Sequence, residues 1–141
     1  MRYIGTIVNE WRGIIEGEAL VSRSRISFLG DVNPKTGIIR DPTSDISGKS
    51  IMNKILIFKG GRGSTVGALV LYALKKYRKA PKMIVTVESD LVVISGAIFA
   101  NIPMITNVSS KIITEVKTGD IVKAWIEGNR GVIEVFRNVF D

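Results

Sequence analysis

The chain has 141 residues with 45% hydrophobic side chains, 23% charged side chains and a net charge of +7, which predicts one globular domain over residues 1–141. It contains no cysteine and no histidine, so its own side chains cannot form disulfides, thiolate-bound metal centres or a histidine general base. Its basic residues are dispersed, its apolar stretches are too short to span a membrane and its first residues lack a signal-peptide pattern, so we expect a cytoplasmic protein that binds neither nucleic acid nor membrane.

The first half of the chain is predicted to be rich in short β-strands. Short apolar pieces at residues 19–21, 26–29 and 38–39 are separated by glycines and polar loops. The two loops at residues 31–37 and 40–50 contain proline and glycine, which is typical of ordered turns.

The segment around residues 55–67 predicts a strand, a glycine-rich loop and the start of a helix. An apolar run from Ile55 to Phe58 leads into three glycines, an arginine and two hydroxyl side chains. Apolar residues then recur at helical spacing, which predicts a helix from about Thr65 to Lys79 that ends before Pro81.

One further strand and helix follow, and then a third strand. We expect a buried strand at residues 83–87, an N-cap at Ser89 or Asp90, a helix over residues 91–100 and a strand at 103–105. This alternation predicts parallel strands joined by right-handed crossover helices. Residues 121–127 and 132–136 flank a glycine-containing turn and predict a β-hairpin at the end of an α/β fold.

The glycine-rich loop is the best candidate for chemistry. The start of a helix offers unpaired N–H groups and the positive end of the helix dipole, which favour an anion or a developing oxyanion beside Ser64. From the local sequence alone, the simplest alternative is that the Ser64 hydroxyl caps the helix. Arg62 is either an anion ligand or an ordinary exposed arginine.

Several ordered blocks resemble the aconitase X swivel-domain family over residues 14–135. The blocks are Ser27-Phe28-Leu29-Gly30, Asn33-Pro34-Lys35-Thr36-Gly37, Gly61-Arg62-Gly63-Ser64-Thr65-Val66-Gly67, Ala80-Pro81 and the segment 96–103. The resemblance implies a swivelling β/β/α domain. In two-subunit members it also implies a small subunit whose partner is a larger aconitase-like subunit, with an iron–sulfur cluster on the partner's cysteines and no metal on this chain.

The resemblance further implies a hydro-lyase that dehydrates (R)-5-phosphomevalonate to trans-anhydromevalonate 5-phosphate in an archaeal mevalonate pathway. The run Ser64-Thr65-Val66-Gly67 is more similar to this archaeal branch than to bacterial hydroxyproline dehydratases. Departures from the family pattern at Leu29, Asp31 and Ala68 leave another hydroxy acid, such as a hydroxyproline, open as the substrate.

Ser64 occupies the family's catalytic serine position, which implies that its side chain accepts the proton removed from carbon. We expect Arg62, Gly63 and Thr65 to form the substrate-binding part of the loop. Arg62 would bind a substrate carboxylate or phosphate, Gly63 would permit the turn, and Thr65 would act as a helix cap or a supporting donor. A stand-alone anion- or RNA-binding domain and a non-catalytic structural subunit are the alternative interpretations.

Overall fold

The structure is a computed structural model that describes residues 1–139, and its seven strands close into a barrel. Around the barrel the strands follow the order β1-β5-β4-β3-β2-β6-β7. Their bounds are β1 (Arg2–Ile7), β2 (Ile15–Val21), β3 (Ile55–Phe58), β4 (Met83–Thr86), β5 (Met104–Thr106), β6 (Ile121–Glu127) and β7 (Arg130–Phe136). Four helices complete the described residues, namely α1 (Phe28–Asp31), α2 (Gly67–Lys76), α3 (Leu91–Ala100) and α4 (Lys111–Glu115). The predicted α/β class is confirmed.

The predicted parallel layer is confirmed. Strand β3 pairs in parallel with both β2 and β4, and β4 pairs in parallel with β5. The three strands β3, β4 and β5 are buried at every position, as expected for strands with a covered surface on both sides. Their carboxyl ends therefore meet at one edge of the sheet, where the glycine-rich loop begins.

The remaining strands run antiparallel and close the barrel. The predicted hairpin is formed by β6 and β7, which are paired from Ile121↔Phe136 to Glu127↔Arg130. Strand β1 joins β7 to β5 and was not predicted from the sequence. Its alternating burial arises because only every second side chain faces the barrel interior.

Helix α2 is shorter than the predicted span from Thr65 to Lys79. It covers Gly67–Lys76, Val66 is its N-cap residue, and Arg78 adopts a left-handed φ of 61° just beyond its end. Basic residues near the end of a helix fit its dipole without having to be part of the helix. Helix α3 has the predicted bounds, and the Asp90 side chain caps it by accepting a hydrogen bond from the N–H of Val93 at 3.0 Å.

The predicted strand at residues 26–29 is wrong. Ile26 forms a single bridge to Gly61, and the chain then turns into the short helix α1 at Phe28. The turn forms because the Asp31 carboxylate accepts a hydrogen bond from the Ser27 N–H at 2.8 Å, while the Asp31 N–H donates to the Ser27 carbonyl. The pattern of apolar and polar residues, from which the strand was predicted, gives no sign of such a local bond between a side chain and the backbone.

Two apolar cores lie on opposite sides of the parallel strands. Alternate side chains such as Leu56 and Ile84 pack under α2 and α3, whereas Ile57 and Val85 fill the barrel interior. The two helices approach each other closely at Gly96, where a Cβ would lie 2.6 Å from Leu71 Cδ1 and 3.0 Å from the Ala68 Cα. Within residues 1–139, no helix is long and apolar enough to cross a membrane.

Candidate active site

The glycine-rich loop between β3 and α2 is anchored at its beginning. The Ile26 N–H donates to the Gly60 carbonyl at 3.3 Å, and the Arg62 N–H donates back to the Ile26 carbonyl at 3.2 Å. These two bonds form an isolated parallel bridge between Ile26 and Gly61, beyond the ends of β2 and β3. The loop therefore leaves the sheet in a defined direction.

Position 63 requires glycine for two reasons, its backbone conformation and the lack of space for a side chain. Its φ is +86°, in the region that L side chains rarely adopt, and a Cβ there would lie 2.8 Å from the Ser27 hydroxyl oxygen. The buried Ser27 side chain thus packs directly against the loop backbone just before Ser64. This confirms that Gly63 permits the turn.

Ser64 is exposed at the start of α2, and its hydroxyl oxygen accepts a hydrogen bond from the Val66 N–H at 3.1 Å. This bond closes a serine turn that ends at Val66, just before the first residue of α2. Ser64 is therefore not the N-cap residue, since that position is held by Val66. Thr65 is not the cap either, because the N-cap residue is Val66 and it has no side-chain cap bond. The expectation that Thr65 caps the helix is therefore wrong.

The loop around Ser64 contains free backbone donors within residues 1–139. The N–H groups of Gly67, Ala68 and Leu69 are already bonded to carbonyls three residues earlier. By contrast, the N–H groups of Gly63, Ser64 and Thr65 have no hydrogen-bond partner in the described part of the chain. Consecutive free amides of this kind form a concave, partly positive site for an anion. The free amides therefore lie in the loop before the first helical turn, and the amides of Gly67, Ala68 and Leu69 are occupied by backbone bonds.

The Arg62 guanidinium is held by carboxylates. Its Nη2 donates to both Asp31 carboxylate oxygens at 2.9 Å and lies 3.5 Å from Asp41 Oδ2. Asp31 is only 7% exposed, whereas the Arg62 side chain is half exposed. Hydrogen bonds from Thr43, together with the charge of Arg62, hold the pKa of the Asp41 carboxyl below its ordinary value. The guanidinium is therefore oriented by the protein, while its Nη1 and Nε atoms bond to no residue within 1–139.

Replacing Asp31 with asparagine is expected to destabilise the purified chain by about 1–3 kcal/mol, because a buried acceptor loses its charge-assisted bonds to Arg62. Urea unfolding measures this loss. Glu127→Gln is the matched control, since it breaks the exposed Arg2–Glu127 pair and is expected to cost less than about 1 kcal/mol. Equal losses in the two variants would show that the Asp31–Arg62 pair contributes no more than a surface ion pair.

A second arginine, Arg25, links the loop to the segment that follows β4. Arg25 Nη2 donates to the two Glu88 carboxylate oxygens at 2.6 and 2.5 Å, and its Nη1 donates to the Gly61 carbonyl at 3.4 Å. The bond from Arg25 lowers the pKa of the Glu88 carboxyl, so this carboxylate stays charged as pH falls below the usual glutamate range. The buried Thr86 and Thr106 hydroxyls both donate to the Glu88 carbonyl at 3.0 Å and fix its position.

A small pocket opens beside the loop, with a volume of about 50 Å³. Its walls come from the loop, from the segment before α1 and from the start of α3, and they comprise Ile26, Phe28, Gly61, Arg62, Gly63, Ser64, Gly67, Asp90, Val92 and Val93. Small-molecule sites usually enclose a volume of roughly 300–1,000 Å³. The pocket by itself is therefore too small to enclose a ligand of this size.

The structure brings together three of the four site residues predicted from the sequence. Arg62, Gly63 and Ser64 line the pocket, whereas Thr65 is exposed and is absent from its lining. Sequence reasoning missed Asp31 as the carboxylate that holds Arg62, and it identified Asp90 only as a possible cap. The available signal for Asp31 was its position in the polar loop after the Ser27 block, but nothing in the sequence paired it with Arg62.

The chain's side chains do not fit a metal centre. The sequence offers no cysteine or histidine, and residues 1–139 contain no group of three or more acidic side chains arranged to hold an ion. An iron–sulfur cluster needs thiolate ligands, so this chain cannot supply its usual ligands. We therefore assign no catalytic step of this chain to such a group.

Comparison with known proteins gives consistent matches over nearly the whole chain. The family model described as the aconitase X swivel domain matches residues 4–135. A protein of Pyrococcus horikoshii named phosphomevalonate dehydratase small subunit is 50% identical over 86% of this chain and 87% of its own length. Its namesake from Thermococcus kodakarensis is 47% identical over 89% of this chain and 91% of its own length.

A solved structure also matches. The crystal structure of Thermococcus kodakaraensis aconitase X in its holo form superimposes with a TM-score of 0.86 at 43% identity, covering 97% of this chain and 99% of that one. The similarity therefore extends to the whole barrel and its helices.

Proposed function

The chain belongs to the aconitase X swivel-domain family, and from this premise we propose that it is the small subunit of a phosphomevalonate dehydratase. In this proposal the two-subunit enzyme removes water from (R)-5-phosphomevalonate to give trans-anhydromevalonate 5-phosphate. The name shared by its relatives, small subunit, implies a large-subunit partner. The observation that carries the proposal is the Ser64 hydroxyl at the mouth of an incomplete pocket, among donors fixed by the backbone.

Ser64 is the proposed proton acceptor. The C–H bond beside the substrate carboxylate breaks, its electron pair forms the double bond, and the hydroxyl leaves from the neighbouring carbon as hydroxide. An iron–sulfur cluster on the partner subunit would supply the Lewis acid for that hydroxide. The serine oxygen needs its anionic form to take the proton, and the Val66 N–H bond favours that form over the neutral hydroxyl. The free N–H groups of Gly63, Ser64 and Thr65 add preorganised positive charge to the same loop.

The rest of the loop binds the substrate in this proposal. Arg62 keeps two donor atoms free of protein partners and is rotationally fixed by Asp31, so it can present them to a carboxylate or phosphate. Gly63 allows the backbone to approach the anion closely. Thr65 contributes its free backbone N–H, which replaces the helix-capping role predicted from the sequence.

The iron–sulfur cluster implied by the family resemblance is assigned to cysteines of the partner large subunit. This assignment follows from the donor set of the present chain, which lacks thiols. A cytoplasmic location and the lack of nucleic-acid and membrane partners stay predictions.

Anaerobic reconstitution with the large subunit of the same organism tests the proposed function. We expect turnover of (R)-5-phosphomevalonate only when both chains are present, measured by mass spectrometry of the anhydro product. A hydroxyproline offered to the same mixture provides the substrate comparison. If the mixture dehydrates hydroxyproline but not phosphomevalonate, the assigned substrate is wrong. If the chain binds RNA in a salt-sensitive manner without any partner chain, the enzyme assignment is wrong.

Replacing Arg62 with glutamine is expected to raise KM for phosphomevalonate roughly 10- to 100-fold, since one charge-assisted hydrogen-bonding group is lost. Steady-state kinetics of the reconstituted enzyme measures this change. Arg2→Gln is the matched control, because Arg2 is also an exposed, ion-paired arginine but lies on β1, away from the loop. An unchanged KM in Arg62→Gln would remove Arg62 from the substrate site.

A further inference from the structure

Helix α3 is apolar on nearly every side, although one side of it faces outward. Its sequence, Leu91–Ala100, contains no charged residue and a single hydroxyl side chain. Leu91 is 78% exposed and Phe99 is 68% exposed, while Val93 and Ala97 lie in the core. A helix that is hydrophobic on all sides is normally buried. The exposed outer side of α3 is therefore a surface that another protein could cover.

The neighbouring helix extends this apolar surface. Leu69 of α2 is 60% exposed, and the Tyr72 ring packs edge-to-face against Phe99 of α3 with a centroid distance of 5.2 Å. Together the two helices present what we call the helical face, formed by Val66, Leu69, Tyr72, Leu91, Ile98 and Phe99. Large apolar side chains grouped in this way on a surface mark an interaction site.

The helical face is continuous with the candidate active site. Val66, on the face, donates its N–H to the Ser64 hydroxyl, and Leu91 follows Asp90, which lines the pocket. The pocket is open and too small to enclose the substrate, so another surface must complete it. A partner that completes the pocket from the ends of α2 and α3 also covers the face beside it.

Charge borders this apolar surface at its far end. Lys75 and Lys76 occupy the last turn of α2, Arg78 follows it, and all three are exposed. Acidic side chains across an interface would complement them and steer the encounter. The helical face and its basic end therefore fit a partner whose contact surface is apolar at its centre and acidic where it meets the end of α2.

We propose that the helical face is the docking surface for the large subunit. This inference rests on the proposed function, because it assumes that the partner carries the rest of the active site. The partner contacts α2 and α3 at their outer sides and reaches the rim formed by Val66 and Leu91, where the substrate is enclosed between the two chains.

A second apolar patch provides the matched control. Trp11, Ile14, Trp125 and Ile126 line a cleft elsewhere on the barrel. Ile14 is 65% exposed and immediately precedes the first residue of β2, which runs parallel to β3. It therefore lies at the opposite edge of the sheet from the glycine-rich loop, and a partner completing the pocket has no reason to contact it.

Co-purification with a tagged large subunit tests the docking surface independently of catalysis. The test variants are Leu91→Asp and the double variant Leu69→Asp with Phe99→Asp, and the control is Ile14→Asp. We expect the test variants to bind the large subunit at least about 100-fold more weakly and the control to bind like the wild type. Circular dichroism and thermal unfolding of each isolated chain check that the exposed substitutions leave the fold intact.

Each outcome decides a different point. If folded test variants bind as tightly as the wild type, or if Ile14→Asp alone abolishes binding, the helical face is not the docking surface. If the wild type itself does not bind the large subunit, the proposed function fails. If the wild type forms dimers that the test variants lose, while binding to the large subunit is unchanged, the face is an interface between copies of this chain and the inference is overturned.

Discussion

Replacing Ser64 with alanine is expected to lower kcat of the reconstituted enzyme by about 10²- to 10⁴-fold, the usual contribution of a positioned proton acceptor. KM should change little, because the substrate ligands on the loop remain. The chain should still fold, since the exposed hydroxyl makes a single hydrogen bond, to the Val66 N–H. Single-turnover measurements with (R)-5-phosphomevalonate separate loss of the chemical step from slow product release.

Ser109→Ala is a closely matched control for this experiment. The Ser109 hydroxyl accepts a hydrogen bond from the N–H two residues later, at 3.3 Å, in the same kind of serine turn before a helix. It is absent from the pocket lining, so its loss should affect stability by about as much, roughly 0.5–1.5 kcal/mol, and leave kcat unchanged. If Ser64→Ala behaves like Ser109→Ala, the Ser64 hydroxyl has only a structural role.

Replacing Gly63 with alanine is expected to reduce kcat/KM by about 100-fold or more, because displacing a catalytic group by about 1 Å can cost that much. The new Cβ would lie 2.8 Å from the Ser27 hydroxyl oxygen, so the loop must shift and Ser64 moves with it. The left-handed φ of +86° adds strain of the order of 1 kcal/mol for alanine. Kinetics and thermal unfolding of the same preparation measure the two effects separately.

Gly48→Ala separates backbone strain from displacement of the loop. Gly48 has a similar φ of +82°, but a Cβ there meets nothing within 4 Å. This variant should lose a comparable amount of stability, about 1 kcal/mol, and keep full activity. Full activity in Gly63→Ala as well would show that the enzyme tolerates a shifted loop and would contradict the fixed geometry proposed for Ser64.

The parallel half of the fold could be predicted because its signals are local and mutually consistent. Continuous apolar runs specify β3 and β4, and each run is followed by a loop and a helix. Helical spacing of apolar residues marks α2, whereas α3 is marked by its N-cap residue. The bounds of α3 were correct because Asp90 is a good N-cap and Asn101 ends the helix in a left-handed conformation. Such features depend on a few neighbouring residues and need no knowledge of the tertiary structure.

The missed elements depend on contacts between distant parts of the chain. Strand β1 is stabilised by pairing with β5 and β7, which lie about a hundred residues further along the sequence. Helix α4 has only five residues and no side-chain cap, so neither its length nor its ends give a clear signal. Barrel closure was likewise not predicted, because it follows from which strands meet and not from any single strand.

The candidate site shows the same division. Ser64 and Gly63 were identified from the family resemblance, and their loop was correctly placed between a strand and a helix. The Asp31–Arg62 pair joins residues that are 31 positions apart, so only the tertiary structure shows that Arg62 is held in place. The anion-binding amides were expected in the first helical turn, but backbone bonds occupy those groups and leave the preceding loop amides free.

The close crossing at Gly96 has a geometric consequence for the enzyme. A Cβ at position 96 would lie 2.6 Å from Leu71 Cδ1 and 3.0 Å from the Ala68 Cα, so a larger residue there would have to push the two helices apart. Ser64 precedes the first of these helices and Asp90 caps the second, and both line the same pocket. The absence of a side chain at position 96 therefore helps to set the spacing of the two helix starts that line the pocket.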